Sequence, residues 1–435
     1  MTHMRYNPAA IVFIYLLVTI SFSVTRGFYS FGAFSSLFVA LAIFALYFKW
    51  PNSFTILKKL DLKQTLAITL FVSIFLSSIF YGGLYQDKDF LYQVSSYLLP
   101  IAALISLTYF TTKKIFSAST RFYLLVLIGI SLQVFMVISS PHPIIDVFVM
   151  LKYGAISVVN FQNPYSAVFP TVYRGIESNY FSYLPITALV FSPTTIIFSD
   201  PRVTLIIANL LIVFIFRKLI GKNHPLASEI IPLLYLFSPQ ATFLVEQSWV
   251  DPLIFSAFAS FLFLAYKKKN KVFQTIALAL TLGMKQQFLL LLPFIFLFKK
   301  ASKIVIVGSL ATVSVITLFF IMLNPAEFFK DMTLLGNLVI LKTNSLSLNA
   351  YVHSNWQVNV NIFIFLVVWI TGLFLVGINK NKSFSRLTLS VGLYFFIFYF
   401  FNYLAYLNYY PFVTGCMLLS SCFAISEGND TKNGA

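Results

Sequence analysis

Asp146 follows an apolar run and a short polar break, Ser139-Ser140-Pro141-His142-Pro143. A carboxylate at the end of such a run can take a proton from a hydroxyl and orient that hydroxyl for attack. The alternative is a helix cap, because Asp146 precedes a stretch with helical spacing, Val147 to Ala155, and Asp is favoured at an N-cap. Tyrosines at 153, 165, 173, 180 and 183 follow, offering stacking faces and hydroxyls suited to carbohydrate or lipid head groups. Lys285-Gln286-Gln287 interrupts the apolar stretch 272–298. A charge at membrane depth costs about 2.5–3.5 kcal/mol, so Lys285 either faces a cavity or partner or marks a turn and snorkels to water. Glu246 and Asp251 flank Trp249 and could hold an acceptor or a divalent cation, or simply cap a tight hairpin. Asp87 and Asp89 form an Asp-x-Asp whose own Lys88 argues against a metal site. Lys342 to Ser345, His353 and the Tyr/Asn-rich run 402–411, which contains Tyr409, are further places to contact sugar or phosphate.

The elements that must carry these residues are membrane helices. The chain has 435 residues, 59% hydrophobic and 10% charged, with a mean hydropathy of +0.86. Soluble domains hold about 45–50% apolar and ~25% charged residues, so a soluble globular protein, a disordered chain and a disulfide scaffold are excluded. Two cysteines, Cys416 and Cys422, and four histidines without an H-E-x-x-H leave little material for a metal or redox framework. A net charge of +17 would fit nucleic acid, but the basic residues come in bursts between apolar stretches, as in cytoplasmic loops.

About fourteen spans are expected, near 8–24, 31–48, 65–82, 95–112, 122–139, 203–217, 227–243, 250–266, 272–284, 287–298, 303–322, 358–378, 387–402 and 408–425. With both termini in the cytoplasm, alternation puts 22 of the 30 basic residues inside and about nine of the 13 acids outside. That count requires 183–198 not to cross, so this stretch, broken by Pro193, is expected to dip into or lie on the outer face. Two long outer loops result, 140–202 and 323–357, on the face opposite ATP and nucleotide sugars; long loops between packed spans are usually functional. Any donor must therefore already be outside or be lipid-linked.

Several pieces together resemble the lipid-linked-sugar glycosyltransferases of the GT-C fold, closest to the polyprenyl-phosphate-mannose-dependent branch, glycosyltransferase family 87. They are Asp146 after an early span, Asn163-Pro164-Tyr165, and Tyr183-Leu184-Pro185. Ser238-Pro239 with Glu246-Gln247-Ser248-Trp249-Val250-Asp251 resembles the family's S-P…G-Q-x-D element, and Leu282-Gly283-Met284-Lys285 its small-residue helix ending in Lys. The likeness covers roughly 122–410 in short, degenerate motifs. Glu246 stands where the family often has Gly, and Tyr183-Leu184-Pro185 where it has Y-P-P.

The resemblance implies an all-α, polytopic, GT-C-like bundle of about 12–14 transmembrane helices with interfacial helices in the long outer loop. Residues 1–116 would be an N-terminal unit of about four spans, and 117–435 the catalytic core. It further implies transfer of a monosaccharide, mannose being expected, from a polyprenyl-phosphate carrier to a glycolipid or glycan acceptor at the outer face of the plasma membrane. Asp146 would be the base in a single inverting displacement, and Lys285, with Arg174, would neutralise the leaving phosphate. Tyr165, Tyr183, Glu246, Asp251 and Tyr409 would contact substrates. No nucleotide cofactor is implied, a divalent metal is optional, and no nucleic-acid partner is expected. Two rivals stand beside this reading. One is an O-antigen-type polysaccharide polymerase, which would lean on outer-loop arginines. The other is a transporter or flippase of a lipid-linked sugar, which would place charges near the bilayer midplane.

Overall fold

The computed structural model describes residues 6–110, 117–172, 180–339, 344–377 and 383–433. Three-quarters of it is helix, and no strand occurs among the described residues; one isolated antiparallel bridge joins Phe28 and Ser345. Polar caps start many of the helices, as an apolar segment with orphan N–H groups demands. Asp61 accepts from Gln64 N at 2.8 Å, Asp89 from Tyr92 N at 2.8 Å, Ser117 from Thr120 N at 3.1 Å and Asn270 from Val272 N at 2.8 Å.

Seven of the described helices are long and apolar enough to cross a membrane: Phe31–Lys49, Leu62–Ile79, Phe90–Leu107, Ser119–Ile138, Arg202–Ile220, Lys303–Leu323 and Leu407–Gly428. Eight more apolar helices, including Pro8–Ser23, Asp251–Tyr266 and Phe384–Phe400, have 10–17 residues. This is the architecture of a helical, multi-pass membrane protein. The stretch expected as one span at 227–243 is two helices, Pro225–Leu236 and Ala241–Glu246. Pro239 has no N–H to donate and Gln240 is left-handed at φ 71°, so the helical ladder cannot run through. The stretch 183–198 forms Ile186–Phe198, which packs against Asp146–Val159 and ends at a left-handed Ser199.

The helices share one core. Pro8–Ser23 packs against Phe31–Lys49, Leu62–Ile79 and the last helix, Tyr410–Asn433, which itself packs against Phe384–Phe400. Tyr15 donates to the Leu234 carbonyl at 2.7 Å and Gln240 Nε2 to the Ser23 carbonyl at 2.8 Å, so the N-terminal helices and residues beyond 117 are joined through buried hydrogen bonds. Phe90–Leu107, Lys303–Leu323 and Ile362–Gly377 lie at the periphery and present large exposed apolar side chains such as Leu104, Phe319 and Phe363, as lipid contact requires.

Contacts between connections sort the bundle into two ends. At one, Asp87 N donates to the Ser139 carbonyl, Phe181 N to Asp331, Tyr29 N to the Asn344 carbonyl and Leu346 N to the Ala405 carbonyl. At the other, Tyr6 donates to the Phe48 carbonyl, Arg121 to the Thr108 carbonyl, Ser426 to the Leu219 carbonyl and Phe384 N to Glu427. The first, acidic end carries Asp87, Asp89, Asp146, Asp200, Glu246, Asp251, Glu327 and Asp331. The second, basic end carries the bursts at Lys58-Lys59, Lys267 to Lys269 and Lys299-Lys300.

Arg202 ties the acidic end together around the helix that begins with Asp146. Fully buried, it chelates Asp200 through Nε and Nη2 (3.0 and 2.6 Å), donates to Ser140 Oγ at 2.9 Å and to the Val137 carbonyl at 3.2 Å, and lies 5.1 Å over the Phe148 ring. Removing one partner of a buried pair strands the other charge. Arg202→Ala is therefore expected to cost about 3–5 kcal/mol in unfolding measured in detergent. The double change Asp200→Asn, Arg202→Met, which strands no charge, should cost less.

Candidate functional site

The site begins at the break in the apolar stretch 272–298. Lys271–Gly283 stops at Met284, Lys285 is extended (φ −136°, ψ 136°), and a 3-10 turn Gln286–Leu291 follows. The break leaves the Met284 carbonyl without a helical partner. It accepts instead from Leu184 N at 3.1 Å and Thr187 Oγ1 at 2.9 Å, which pins the segment 180–185 alongside. The break also turns Lys285 inward, where Nζ meets Asp251 Oδ2 at 2.8 Å; the Asp251 side chain is fully buried and that of Lys285 11% exposed. The ammonium lies 5.0 Å from the Tyr409 ring centroid and 5.8 Å from that of Tyr183. Asp251 Oδ1 and Asn408 Oδ1 are buried beside it without a hydrogen-bond partner.

Asp146 is the first residue of the helix Asp146–Val159, with Ile145 at the N-cap. Its carboxylate plays two parts. Oδ1 accepts from Val147 N at 2.9 Å, helping to satisfy the helix start, and Oδ2 accepts from the Tyr180 hydroxyl at 2.8 Å. Tyr183 lies within the electrostatic reach of both Asp146 and Asp251. Burial first, and then those two carboxylates, hold its hydroxyl well above the usual tyrosine range. Tyr165 donates to the Tyr183 carbonyl at 2.8 Å and stacks edge-on against Phe181 and Phe328, so it fixes the segment from behind.

Asp146, Tyr183, Asp251, Lys285 and Tyr409, expected from sequence as site residues, thus gather at the acidic end, with Tyr165 as their support. Arg174 lies outside the described residues, as do Tyr173, Lys342 and Thr343. Glu246 is spoken for by backbone. Its oxygens accept from Leu84 N and Tyr85 N, both at 2.8 Å, and from Gln247 Nε2 at 2.9 Å, with the side chain fully buried. Asp89 likewise caps Phe90–Leu107 and accepts from Ser139 Oγ at 2.9 Å. Asn344 accepts from the Tyr406 hydroxyl, bracing the 402–410 segment, while His353 sits in the separate helix Leu348–Trp356. No group of three or more His, Cys, Asp or Glu able to hold a metal occurs among the described residues.

Sequence reasoning missed Tyr180 as the partner of Asp146, and it missed Tyr85 and Asp331. Burial, then Glu246 and Asp146, raise the pKa of Tyr85, whose backbone N–H also donates to Glu246 at 2.8 Å. Asp331, from the helix Pro325–Val339, is fully buried and its Oδ2 accepts from Phe181 N at 2.7 Å, one residue from Tyr180. The pairs 146/180 and 181/331 are too far apart in the chain for any local pattern to signal them. Glu246 and its partners are likewise distant in sequence, and only the structure shows that a Cβ at Gly83 would fall 1.7 Å from Glu246 Oε1.

No family model, curated protein or solved structure matches the chain.

Gly83→Ala must displace the Glu246 carboxylate from two backbone N–H groups, and is expected to cost on the order of 3 kcal/mol in thermal or denaturant unfolding. At Asp331, burial pushes the carboxyl up from 3.8 to about 6, with the Phe181 N–H opposing the shift. The fold then favours the protonated acid, so its stabilising contribution, present below about pH 4, is lost as pH rises through about 6. Asp331→Asn keeps an acceptor for Phe181 and has no charge to bury. Melting curves from about pH 4 to 7 should show the variant gaining on wild type as pH rises.

Proposed function

We propose that this protein is an integral-membrane glycosyltransferase with a GT-C-like bundle of about 12–14 transmembrane helices. It moves a monosaccharide, mannose in the first instance, from a polyprenyl-phosphate carrier to a hydroxyl of a glycolipid or glycan. The observation that carries the reading is the meeting of Asp146, Tyr183 and the Lys285–Asp251 pair at one end of the bundle, on the residues through which the sequence resembles such enzymes. The separation of charge between the two ends supports an orientation with the basic end in the cytoplasm and the acidic end outside, in the plasma membrane.

Asp146 accepts the proton of the acceptor hydroxyl as its oxygen bonds to the anomeric carbon. The bond from that carbon to the phosphate oxygen breaks on the opposite face, inverting the centre, and the electron pair leaves with the polyprenyl phosphate. Tyr180 holds the Asp146 carboxylate in place through its 2.8 Å hydrogen bond. Lys285 stabilises the negative charge that grows on the departing phosphate, while Asp251 keeps the ammonium aimed. Tyr183 and Tyr409 wall the ammonium and offer faces to a sugar ring.

The test is transfer of label from radiolabelled polyprenyl-phosphate-mannose into a membrane-lipid extract by the purified protein in lipid. Asp146→Asn is expected to lower the rate by about 10²–10⁴-fold, and Lys285→Ala by roughly 10²–10³-fold. Donor binding without transfer by wild type would favour a transporter, and transfer that survives Asp146→Asn would remove Asp146 as the base.

A further inference from the structure

The basic end holds a cluster that the transfer reaction does not use. Three helix ends meet there: the start of Ala118–Ile138, the end of Arg202–Ile220 and the start of Pro225–Leu236. Arg121 donates through Nη2 to Glu229 at 3.2 Å and through Nη1 to the Thr108 carbonyl at 3.3 Å, and its guanidinium lies 3.6 Å over the Tyr109 ring. Arg217 lies 3.9 Å from the Phe122 ring centroid and 4.9 Å from that of Tyr123. Arg121 alone pairs with the Glu229 carboxylate, and Arg217 stands close enough to add its positive charge to the cluster.

The arginines are not fully satisfied. Arg121 Nε and Arg217 Nη1 are shielded from water and have no hydrogen-bond partner. Stacking on a ring uses the face of a guanidinium and leaves its N–H groups pointing out along the edge. Unmatched donors in a poorly hydrated place are costly. The fork of an arginine matches two oxygens of a phosphate. The surroundings face the membrane, since Tyr123 is 61% exposed and Phe214, on the same helix face as Arg217, 53%. Lys218, beside Arg217, is exposed and adds a further positive charge.

We propose that Arg217, backed by Arg121 and flanked by Lys218, binds a phosphate group presented by the headgroup of an anionic membrane phospholipid. The lipid would seat its phosphate against the partly exposed Arg217 side chain and Lys218, drawing Arg217 Nη1 toward it, and lay its chains along Tyr123 and Phe214. The site is separate from the proposed transfer centre and does not depend on it.

The experiment is native mass spectrometry and thermal unfolding of the full chain in neutral detergent, with phosphatidylglycerol, phosphatidylcholine or inorganic phosphate added. Wild type should retain and be stabilised by phosphatidylglycerol and not by phosphatidylcholine. Arg217→Gln should weaken phosphatidylglycerol binding roughly tenfold or more. Lys222→Gln, an exposed position that loses the same charge, should stay within about twofold. Arg217→Lys keeps the cation without the fork and should weaken binding several-fold, which carries the test if Arg217→Gln does not fold. Equal losses in Arg217→Gln and Lys222→Gln would reduce the effect to general surface charge and overturn the site. Equal stabilisation by inorganic phosphate would overturn the lipid as its source, and equal retention of both lipids would overturn the proposal altogether.

Discussion

A lysine and an aspartate held 2.8 Å apart away from water set the arrangement of the acidic end. Neither charge is tolerable there alone. For Lys285 to reach Asp251, the helix beginning at Lys271 has to stop, and stopping it frees the Met284 carbonyl. That carbonyl is then matched by Leu184 N and Thr187, which places the segment 180–185 where Tyr180 meets Asp146. One ion pair is therefore linked, through a broken helix and two hydrogen bonds, to the orientation of a carboxylate on another helix. Asp331 holds the same segment through the Phe181 N–H.

The same rule, that a polar group taken from water needs a matched partner, accounts for the other buried charges. Arg202 finds Asp200, Ser140 and a carbonyl; Glu246 finds two backbone N–H groups and an amide. These fully matched groups act as fasteners between helices. Lys285 with Asp251, and Arg121 with Arg217, differ in keeping unmatched atoms close by. Buried groups with spare hydrogen-bonding capacity are the ones with something left to offer a ligand.

Most helices could be read from the chain because an apolar run behind Asp61, Asp89 or Ser117 carries both its driving force and its start signal. Asp146 and Lys285 stood out for a related reason: a charge beside or within an apolar run has few structural explanations. Their neighbours did not stand out. Tyr180 is one of many tyrosines, and nothing local distinguishes the one that reaches Asp146. Glu246 looked like a ligand-holding acid because its true partners, Leu84 and Tyr85, lie some 160 residues earlier. Ser238-Pro239 was visible, yet the apolar residues on both sides concealed the break it makes between Leu236 and Ala241.

Pro8–Ser23 is mostly buried, and among its neighbours is Tyr410–Asn433, far from it in sequence. During synthesis the first of these helices emerges long before the other exists. Until then its face toward the last helix has only lipid or transient neighbours to meet, and contacts so distant in sequence form late. The bundle thus cannot close around Pro8–Ser23 until Tyr410–Asn433 has been made, and a molecule interrupted before then would present to the quality-control machinery an open seam along that helix.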